Sequence, residues 1–148
     1  MLTISEVQPG DVAARIPGAL ADVAHDAADP SWVCVPSSSI VLPTVDELQR
    51  VAAEGVEHIV LLEDAGTIVG LTTVADDGRM RWLILDTTQF AALLEPLGDW
   101  IVQYLGVNPW GVVSGDNQRL AAMIAHPRVL IEEQIDNAGN LATVVRWQ

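Results

Sequence analysis

The segment HIVLLEDAGTIVGLTTVADDGRMRWLIL, which is residues 58–85, contains three runs rich in β-branched and aliphatic residues. Two turn signals divide these runs, Asp64-Ala65-Gly66 and Asp76-Asp77-Gly78, and their glycines can adopt the positive φ that tight hairpins need. We therefore predict an antiparallel meander. Its strands are expected over 58–62, 67–74 and 80–85.

One strand and two helices are predicted before this meander. Residues 2–7 alternate along the chain and predict the first strand. Asp11 is a suitable N-cap for a helix with apolar residues at helical spacing, which Pro17-Gly18 must break or kink. Thr44-Val45-Asp46-Glu47 has the spacing of a capping box, so a second helix begins there and ends at Gly55.

The longest predicted helix follows the meander over 90–105, where apolar residues recur at helical spacing, and Pro96-Leu97-Gly98 predicts a bend within it. Residues 110–114 form a short apolar run that is typical of a buried strand. Gly115-Asp116-Asn117 then supplies a turn and a cap for a short helix that Pro127 ends.

The last two predicted strands, 128–135 and 141–147, form a hairpin around a five-residue loop, Asp136–Asn140. The complete order is strand, two helices, three strands, helix, strand, helix and two strands. A long helix between two strands of one sheet requires a crossover connection. We therefore expect strand 110–114 to lie parallel beside strand 80–85.

Length and composition fit one globular domain, expected to span 1–148. Of the 148 residues, 50% are hydrophobic and 18% are charged. The net charge is -13 and all 7 basic residues are arginine, so neither nucleic acid nor an anionic membrane is expected as a partner, because both need clustered positive charge. Cys34 is the only cysteine, which excludes an intramolecular disulfide and a cysteine-cluster metal site. Without a basic leader or a long apolar run, a cytoplasmic location is expected.

The order of elements resembles that of the GNAT N-acetyltransferases. The segment from Ala92 to Ala121, which includes Trp110-Gly111-Val112-Val113 and ends in Asn117-Gln118-Arg119-Leu120-Ala121, is similar to the third helix, the fifth strand and the asparagine-containing helix of that family. The opening Val7–Val12 and the hairpin Glu63–Gly70 are also similar to family segments. The resemblance implies a single GNAT-like α/β domain, with a mixed, mostly antiparallel sheet and helices on both faces.

Two landmarks of that family are missing from this sequence. In the family, an Arg/Gln-x-x-Gly-x-Gly/Ala loop after the fourth strand holds the acyl-CoA pyrophosphate with backbone amides. The matching segment Leu85–Ala92 has no glycine or arginine, and its Asp86 places a negative charge beside the phosphates. The tyrosine that many members use as a general acid corresponds to Ile124. Trp82 and Trp110, if they point inward, would also fill the gap that admits the acyl-pantetheine arm.

The resemblance, with these departures, implies a degenerate GNAT-fold protein that has lost acyl-CoA-dependent catalysis, uses no cofactor and acts as a binding or structural protein with a protein partner. The alternative is an acetyl-CoA-dependent N-acetyltransferase with a divergent cofactor loop, and a homo-oligomer is compatible with both. Abundant Ala, Val and Asp without lysine suggest a high-GC genome. The Trp-rich terminal strands resemble those of degenerate GNAT-like bacteriophage proteins, some of them virion-associated, which implies a virion location for a phage-encoded chain.

No catalytic residue and no metal ligand is assigned. If acyl-CoA binds, the resemblance implies four cofactor-contacting positions, Leu85, Thr87, Thr88 and Asn117. The structural alternative is that Thr87 or Thr88 caps the helix that follows, and that Asn117 caps or braces its turn. Tight binding of acetyl-CoA would imply that another arginine, such as Arg79 or Arg81, holds the phosphates.

The remaining polar residues suggest no further chemistry. The histidines, His25, His58 and His126, have no metal-ligand spacing. Glu132 and Glu133 are neighbours on a predicted strand and therefore point to opposite faces, which prevents them from acting as a carboxylate pair.

Overall fold

The computed structural model describes residues 1–16, 44–86, 89–114, 120–137 and 140–148. The strands of this part are β1 (Leu2–Glu6), β2 (Glu57–Asp64), β3 (Thr67–Ala75), β4 (Met80–Leu85), β5 (Trp110–Ser114), β6 (Val129–Asn137) and β7 (Asn140–Trp147). The α-helices are α1 (Val12–Arg15), α2 (Val45–Glu54), α3 (Phe90–Trp100) and α4 (Leu120–Ile124). A 3-10 turn over Pro9–Asp11 precedes α1, and a π-helical turn over Ile101–Leu105 continues α3.

The predicted meander is confirmed: β1, β2, β3 and β4 form a four-stranded antiparallel sheet in that order. Asp64 pairs with Thr67 across the β2–β3 turn. The two turn residues, Ala65 and Gly66, have φ of 51° and 83°, which is the backbone of a two-residue hairpin that matches the strand twist. The strand β2 is longer than predicted because its pairing continues up to this turn, and at the other end Glu57 pairs with Ala75 and adds one residue to each strand.

The other sheet has three antiparallel strands in the order β5-β7-β6, so the last strand lies in the middle. The predicted five-residue loop is wrong. The ladder continues until Asn137 pairs with Asn140, and only Ala138 and Gly139, outside the described residues, separate the strands. Ladder hydrogen bonds form irrespective of side-chain polarity, so the polar run did not mark the strand end.

The predicted pairing of β4 with β5 in one sheet is wrong, because the two strands lie in separate sheets. Arg79 and Trp110 form one parallel bridge at the start of the two strands. Beyond it, the strands belong to separate sheets. The apolar side chains between them, described below, keep the strands apart and replace the ladder hydrogen bonds with side-chain packing.

The second helix confirms its predicted boundaries. The Thr44 hydroxyl accepts a hydrogen bond from the Glu47 amide at 3.1 Å, and Gly55 closes the helix with φ of 70°. The reciprocal half of the capping box differs, because the Glu47 carboxylate accepts from the Thr44 hydroxyl at 3.4 Å. Asp11 stands at the N-cap position of α1 without a side-chain capping bond, and the predicted break at Pro17-Gly18 lies outside the described residues.

The helix α3 passes through Pro96 without ending. Its irregular part is the π-helical turn after Trp100, three residues beyond the expected bend, and Gly106 closes it with φ of 71°. No helix in the described part of the chain is long and apolar enough to span a membrane.

Helices pack on both sides of the four-stranded sheet. One face carries the smaller core, in which α1 and α2 cover Ile59, Leu61 and Ile84. The opposite face carries the larger core, which α3 shares with both sheets. Its fully buried members include Val60, Leu83, Leu85, Ile101 and Val113. Because β4 and β5 both contribute to this core, α3 holds the two sheets together along the length where they do not pair.

Candidate functional site

The two sheets meet at one end of the gap between β4 and β5. There, the Trp110 amide donates a hydrogen bond to the Gly78 carbonyl at 3.0 Å. Gly78 has φ of 94°, and a Cβ atom at this position would collide with the Asn108 carbonyl oxygen. Asn108 in turn donates from Nδ2 to the Trp147 carbonyl at 3.0 Å. This contact, which we call the junction, closes the gap near residues 78–80, and the gap opens toward Leu85.

Apolar side chains fill the α3 side of the gap. They are Leu83, Leu85, Phe90, Leu93, Val113, Met123 and Val145. A cavity of about 30 Å³ remains beside the junction, and Trp147 and Gly98 lie in its wall. Trp147 packs so closely on α3 that a Cβ atom on Gly98 would lie 2.6 Å from the indole nitrogen. A cavity of this size holds one or two waters and no larger ligand.

Of the four cofactor positions implied by the resemblance, the structure describes only Leu85. Thr87, Thr88 and Asn117 lie outside the described residues. Leu85 is fully buried. Its Cδ2 atom lies against Gly70, where an added Cβ would approach it to 2.6 Å. The side chain is therefore part of the core, and the cofactor roles of the four residues stay predictions.

The start of α3 differs from the threonine-capped helix that we predicted. The helix begins at Phe90, and its N-cap residue is Gln89, which makes no side-chain capping bond. The Gln89 amide donates to the Asp86 carbonyl at 3.1 Å and the Asp86 amide to the Val69 carbonyl at 2.8 Å. The Gln89 side-chain nitrogen also lies 3.3 Å from the Asp86 carboxylate. The two described amides before α3 are thus occupied within the protein, beside a negative charge.

A β-bulge interrupts the pairing of β3 with β4. Across it, the fully buried hydroxyl of Thr72 donates to the Trp82 carbonyl at 2.6 Å, and the Trp82 amide lies 3.4 Å from the Thr73 hydroxyl. Bulges recur beside binding sites because they redirect neighbouring side chains. In this chain the redirected residues are Arg81 and Trp82.

The tryptophans of β4 and β5 pack mainly against arginines. The Arg81 guanidinium lies 4.0 Å from the centre of the Trp82 ring. Arg79 and Arg146 both lie over Trp110, at 5.5 Å and 5.7 Å. Of the two tryptophans, only Trp110 lines the cavity beside the junction. The expectation that both tryptophans fill the gap therefore holds in part for Trp110, and aliphatic side chains together with Phe90 fill most of the gap.

The described histidines lie in separate places. His58 is held between carboxylates, with Nδ1 at 2.8 Å from Glu6 and Nε2 at 3.5 Å from Asp76. His126 packs against the Trp147 ring at 5.0 Å. His25 lies outside the described residues. No group of three or more potential ligands for a metal ion occurs among the residues that the structure describes.

The adjacent acids on β6 have separate surroundings. Glu132 bonds to the guanidinium of Arg146, whereas Glu133 is exposed and stands opposite Val144. A bulge lies between Ile131 and Glu133. The two carboxylates do not form a pair that could share a proton.

Two interactions at this site were not identified from the sequence. Arg146 and Trp110 come together because β7 pairs with β5, and Trp147 reaches Gly98 across the core. An arginine and a tryptophan on different strands give no local signal. The pair could be found only once the β5–β7 register is known.

Solved structures resemble this fold over its whole length. An acetyltransferase of the GNAT family from Streptococcus pneumoniae is 16% identical, covers 99% of this chain and 98% of its own length, and gives a TM-score of 0.61. A protein from Desulfovibrio desulfuricans, described as an acetyltransferase of the GNAT family, is 14% identical with coverages of 100% and 99% and a TM-score of 0.65. The ribosomal-protein-S18-alanine N-acetyltransferase of Escherichia coli is 16% identical with coverages of 99% and 93% and a TM-score of 0.63.

Sequence comparison adds no relative. No protein-family profile matches the chain, and no curated protein matches it. At identities of 14% to 16% the structural likeness establishes the fold alone. The predicted fold class is thereby confirmed: the chain has a GNAT-like α/β fold with a mostly antiparallel sheet.

Proposed function

We propose that this protein is a binding protein on a GNAT-like fold that does not carry out acyl-CoA-dependent transfer and uses no cofactor. The observation that carries the proposal is the start of α3, where the amides of Asp86 and Gln89 donate within the protein. In the family that the sequence resembles, amides at this place hold a pyrophosphate. The described residues do not fit that group, because Asp86 presents a carboxylate there.

The balance of charges also opposes a pyrophosphate at this place. A helix N-terminus favours an anion by about 0.3–1 kcal/mol. A carboxylate about 4 Å from a phosphate opposes it by about 4 kcal/mol at the effective dielectric constant near a protein surface. At that separation the repulsion from a carboxylate exceeds the attraction of the helix, and the net charge of -13 acts in the same direction.

The test is thermal unfolding with acetyl-CoA at millimolar concentration. A ligand at 100 times its dissociation constant would add about 2.7 kcal/mol, which raises the melting temperature of a domain of this length by roughly 5–10 °C. We expect no shift for the wild-type chain. A shift of that size would refute the proposal.

A variant without the Asp86 charge tests whether this carboxylate is what opposes acetyl-CoA binding. Asp86→Asn keeps the shape of the side chain and removes its charge, so calorimetry with acetyl-CoA should detect an increased affinity. Asp46→Asn is the matched control, because it removes one exposed charge from the first turn of α2. Equal behaviour of the two variants would show that Asp86 does not govern binding.

A second candidate is an acetyl-CoA-dependent N-acetyltransferase with a divergent cofactor loop. The absence of a side-chain capping bond at Gln89 favours it, since the first amides of α3 then have no side-chain acceptor from their N-cap. The separation of β4 from β5 favours it as well. Multiple turnovers of thiol release from acetyl-CoA with an amine acceptor would establish this candidate and overturn the first.

We propose a protein as the binding partner. Three apolar side chains on the terminal hairpin are about half exposed, Leu130, Ile131 and Leu141, and exposed apolar surface next to an edge strand is typical of protein contacts. Sedimentation over a range of concentrations identifies the partner class. A mass that rises with concentration, and that Ile131→Ser lowers to the monomer mass, would identify a second copy of this chain as the partner, whereas a constant monomer mass would exclude self-association through this surface.

A further inference from the structure

We propose that Arg79, together with Trp110 and Arg146, forms a binding site for the oxyanion group of a small ligand, a carboxylate or a phosphate. The site lies at the junction, on the bridge that joins the two sheets. It is separate from the start of α3, and the inference goes beyond the proposed function without resting on it.

Arg79 differs from the other arginines that the structure describes. Five of them pair with a carboxylate within 4.0 Å, and these are Arg15, Arg50, Arg81, Arg128 and Arg146. Arg79 has no such carboxylate among residues 1–16, 44–86, 89–114, 120–137 and 140–148. In a chain with 20 acidic and 7 basic residues, an arginine whose guanidinium pairs with no described carboxylate needs an explanation.

The hydrogen-bonding groups of Arg79 point to the same conclusion. Its Nε atom is buried and has no acceptor, and the Nε atom of Arg81 is in the same condition. These are two of the three buried side-chain donors without a partner in the described part of the chain. A buried donor that lacks an acceptor is costly, and native proteins satisfy nearly all such groups. The guanidinium of Arg79 is therefore partly buried without an acceptor for Nε, and an oxyanion bound at its terminal nitrogens would offset part of that cost.

The guanidinium of Arg79 is also held in position for binding. It lies 5.5 Å from the centre of the Trp110 ring, and the indole nitrogen of Trp110 donates to the Asp77 carbonyl at 3.2 Å, which fixes the ring. Arg79 is half-buried, and its terminal nitrogens are not among the buried unpartnered atoms of the described residues, so a ligand can approach them. A planar fork of donors held on an aromatic face matches the two oxygens of a carboxylate or phosphate.

The acids near Arg79 are engaged elsewhere. Asp77 accepts from the Arg79 backbone amide at 3.0 Å, and Asp76 faces His58 at 3.5 Å. Glu57 pairs with Arg81 at 2.9 Å. Arg146 contributes a second positive charge over the same indole ring, 5.7 Å from its centre. Its own guanidinium bonds to Glu132 and to the Asn108 carbonyl, so Arg146 supports the site and Arg79 supplies the free donors.

The experiment follows the indole N–H signal of Trp110 by NMR, assigned with Trp110→Phe, during titration with sodium phosphate and, separately, sodium acetate at constant ionic strength. We expect a saturable shift with at least one of the two anions. The anion that binds more tightly identifies the ligand as a phosphate or a carboxylate. Arg79→Gln should weaken that binding about tenfold or more, because it removes the charged donors.

Arg50→Gln is the matched control, because Arg50 is exposed and pairs with Glu54 on α2, and it should leave the titration unchanged. If Arg79→Gln does not fold, Arg79→Lys keeps the charge without the fork and should still weaken binding. No saturable shift with either anion, or equal binding by wild type and a folded Arg79 variant, would overturn the inference. Acetyl-CoA titration of the Arg79 variant shows whether any acetyl-CoA binding uses this site, which keeps the two proposals distinguishable.

Discussion

Gly98→Ala reverses the usual effect of replacing a helical glycine. In a helix interior, alanine is more favourable than glycine by about 1 kcal/mol. In α3 the new Cβ would lie 2.6 Å from two atoms of the Trp147 ring, well inside the carbon contact distance of about 3.5 Å. Trp147 is 5% exposed and packs against His126 and Arg128, so it cannot move aside at low cost.

The expected magnitude follows from these two opposing contributions. Overpacking a core costs about 1–3 kcal/mol, and a rigid ring places this case near 3 kcal/mol. After the gain of about 1 kcal/mol, the net loss is about 2 kcal/mol, which lowers the melting temperature by about 4–8 °C. Thermal unfolding followed by far-ultraviolet circular dichroism measures it without depending on tryptophan emission.

The Trp147→Leu variant separates the contact between position 98 and the Trp147 ring from the effect of helix propensity. In Trp147→Leu the ring is absent, so adding Gly98→Ala should then raise the melting temperature by about 2–4 °C, as helix propensity alone predicts. Ala91→Gly, at an exposed position of α3, gives the propensity scale in this helix. If Gly98→Ala stabilised the otherwise wild-type chain, or cost the same in both backgrounds, the reasoning about Trp147 would be refuted.

Two further substitutions test the junction and the start of α2 by thermal unfolding. Gly78→Ala should destabilise the protein by about 2–4 kcal/mol, because it combines a φ of 94° with a collision at the Asn108 carbonyl. Gly106→Ala, with φ of 71° and open space around it, should cost only about 1–2 kcal/mol. Equal losses of stability in the two variants would contradict the importance of the collision. Thr44→Ala removes the acceptor for the Glu47 amide and should cost about 1 kcal/mol, and an unchanged melting temperature would show that this cap contributes nothing.

The meander and α2 could be predicted from the sequence because short-range chemistry determines them. The Asp64-Ala65-Gly66 turn has positive φ at its two central residues, and Gly66 adopts it without the steric cost that Ala65 bears at φ of 51°. Thr44 and Gly55 mark both ends of α2. Each of these signals acts within a few residues, so a single sequence contains all the information required.

The extent of pairing between β4 and β5 could not be predicted in this way. A crossover helix implies parallel neighbours, but the described residues show one isolated parallel bridge between Arg79 and Trp110 and no ladder between the two strands. How far the strands pair depends on the volume of side chains such as Leu83 and Phe90 that α3 and both sheets bring together. That volume is a property of the assembled core and has no counterpart in local spacing.

The candidate site also combines features that local sequence predicts with features that depend on which strands become neighbours. The negative charge of Asp86 before α3 was visible in the sequence, as was the absence of glycine from Leu85–Ala92. The stacking of Arg79 and Arg146 on Trp110 depends on which strands become neighbours. Long-range register, rather than residue type, therefore determines which arginine is left without an acidic partner.

The central position of β7 has a consequence for synthesis of the chain on the ribosome. All four strands of the β1–β4 sheet are complete once Leu85 has emerged, so that sheet can form early. The strand β5 has its ladder partner in β7 alone, and β7 is made last of the described strands. Until residues 140–147 emerge, β5 and β6 present unpaired edges, and such edges are where nascent chains associate wrongly. Slowing translation between β6 and β7 should therefore increase aggregation of the nascent chain more than slowing it just after Leu85, when neither β5 nor β6 has been made.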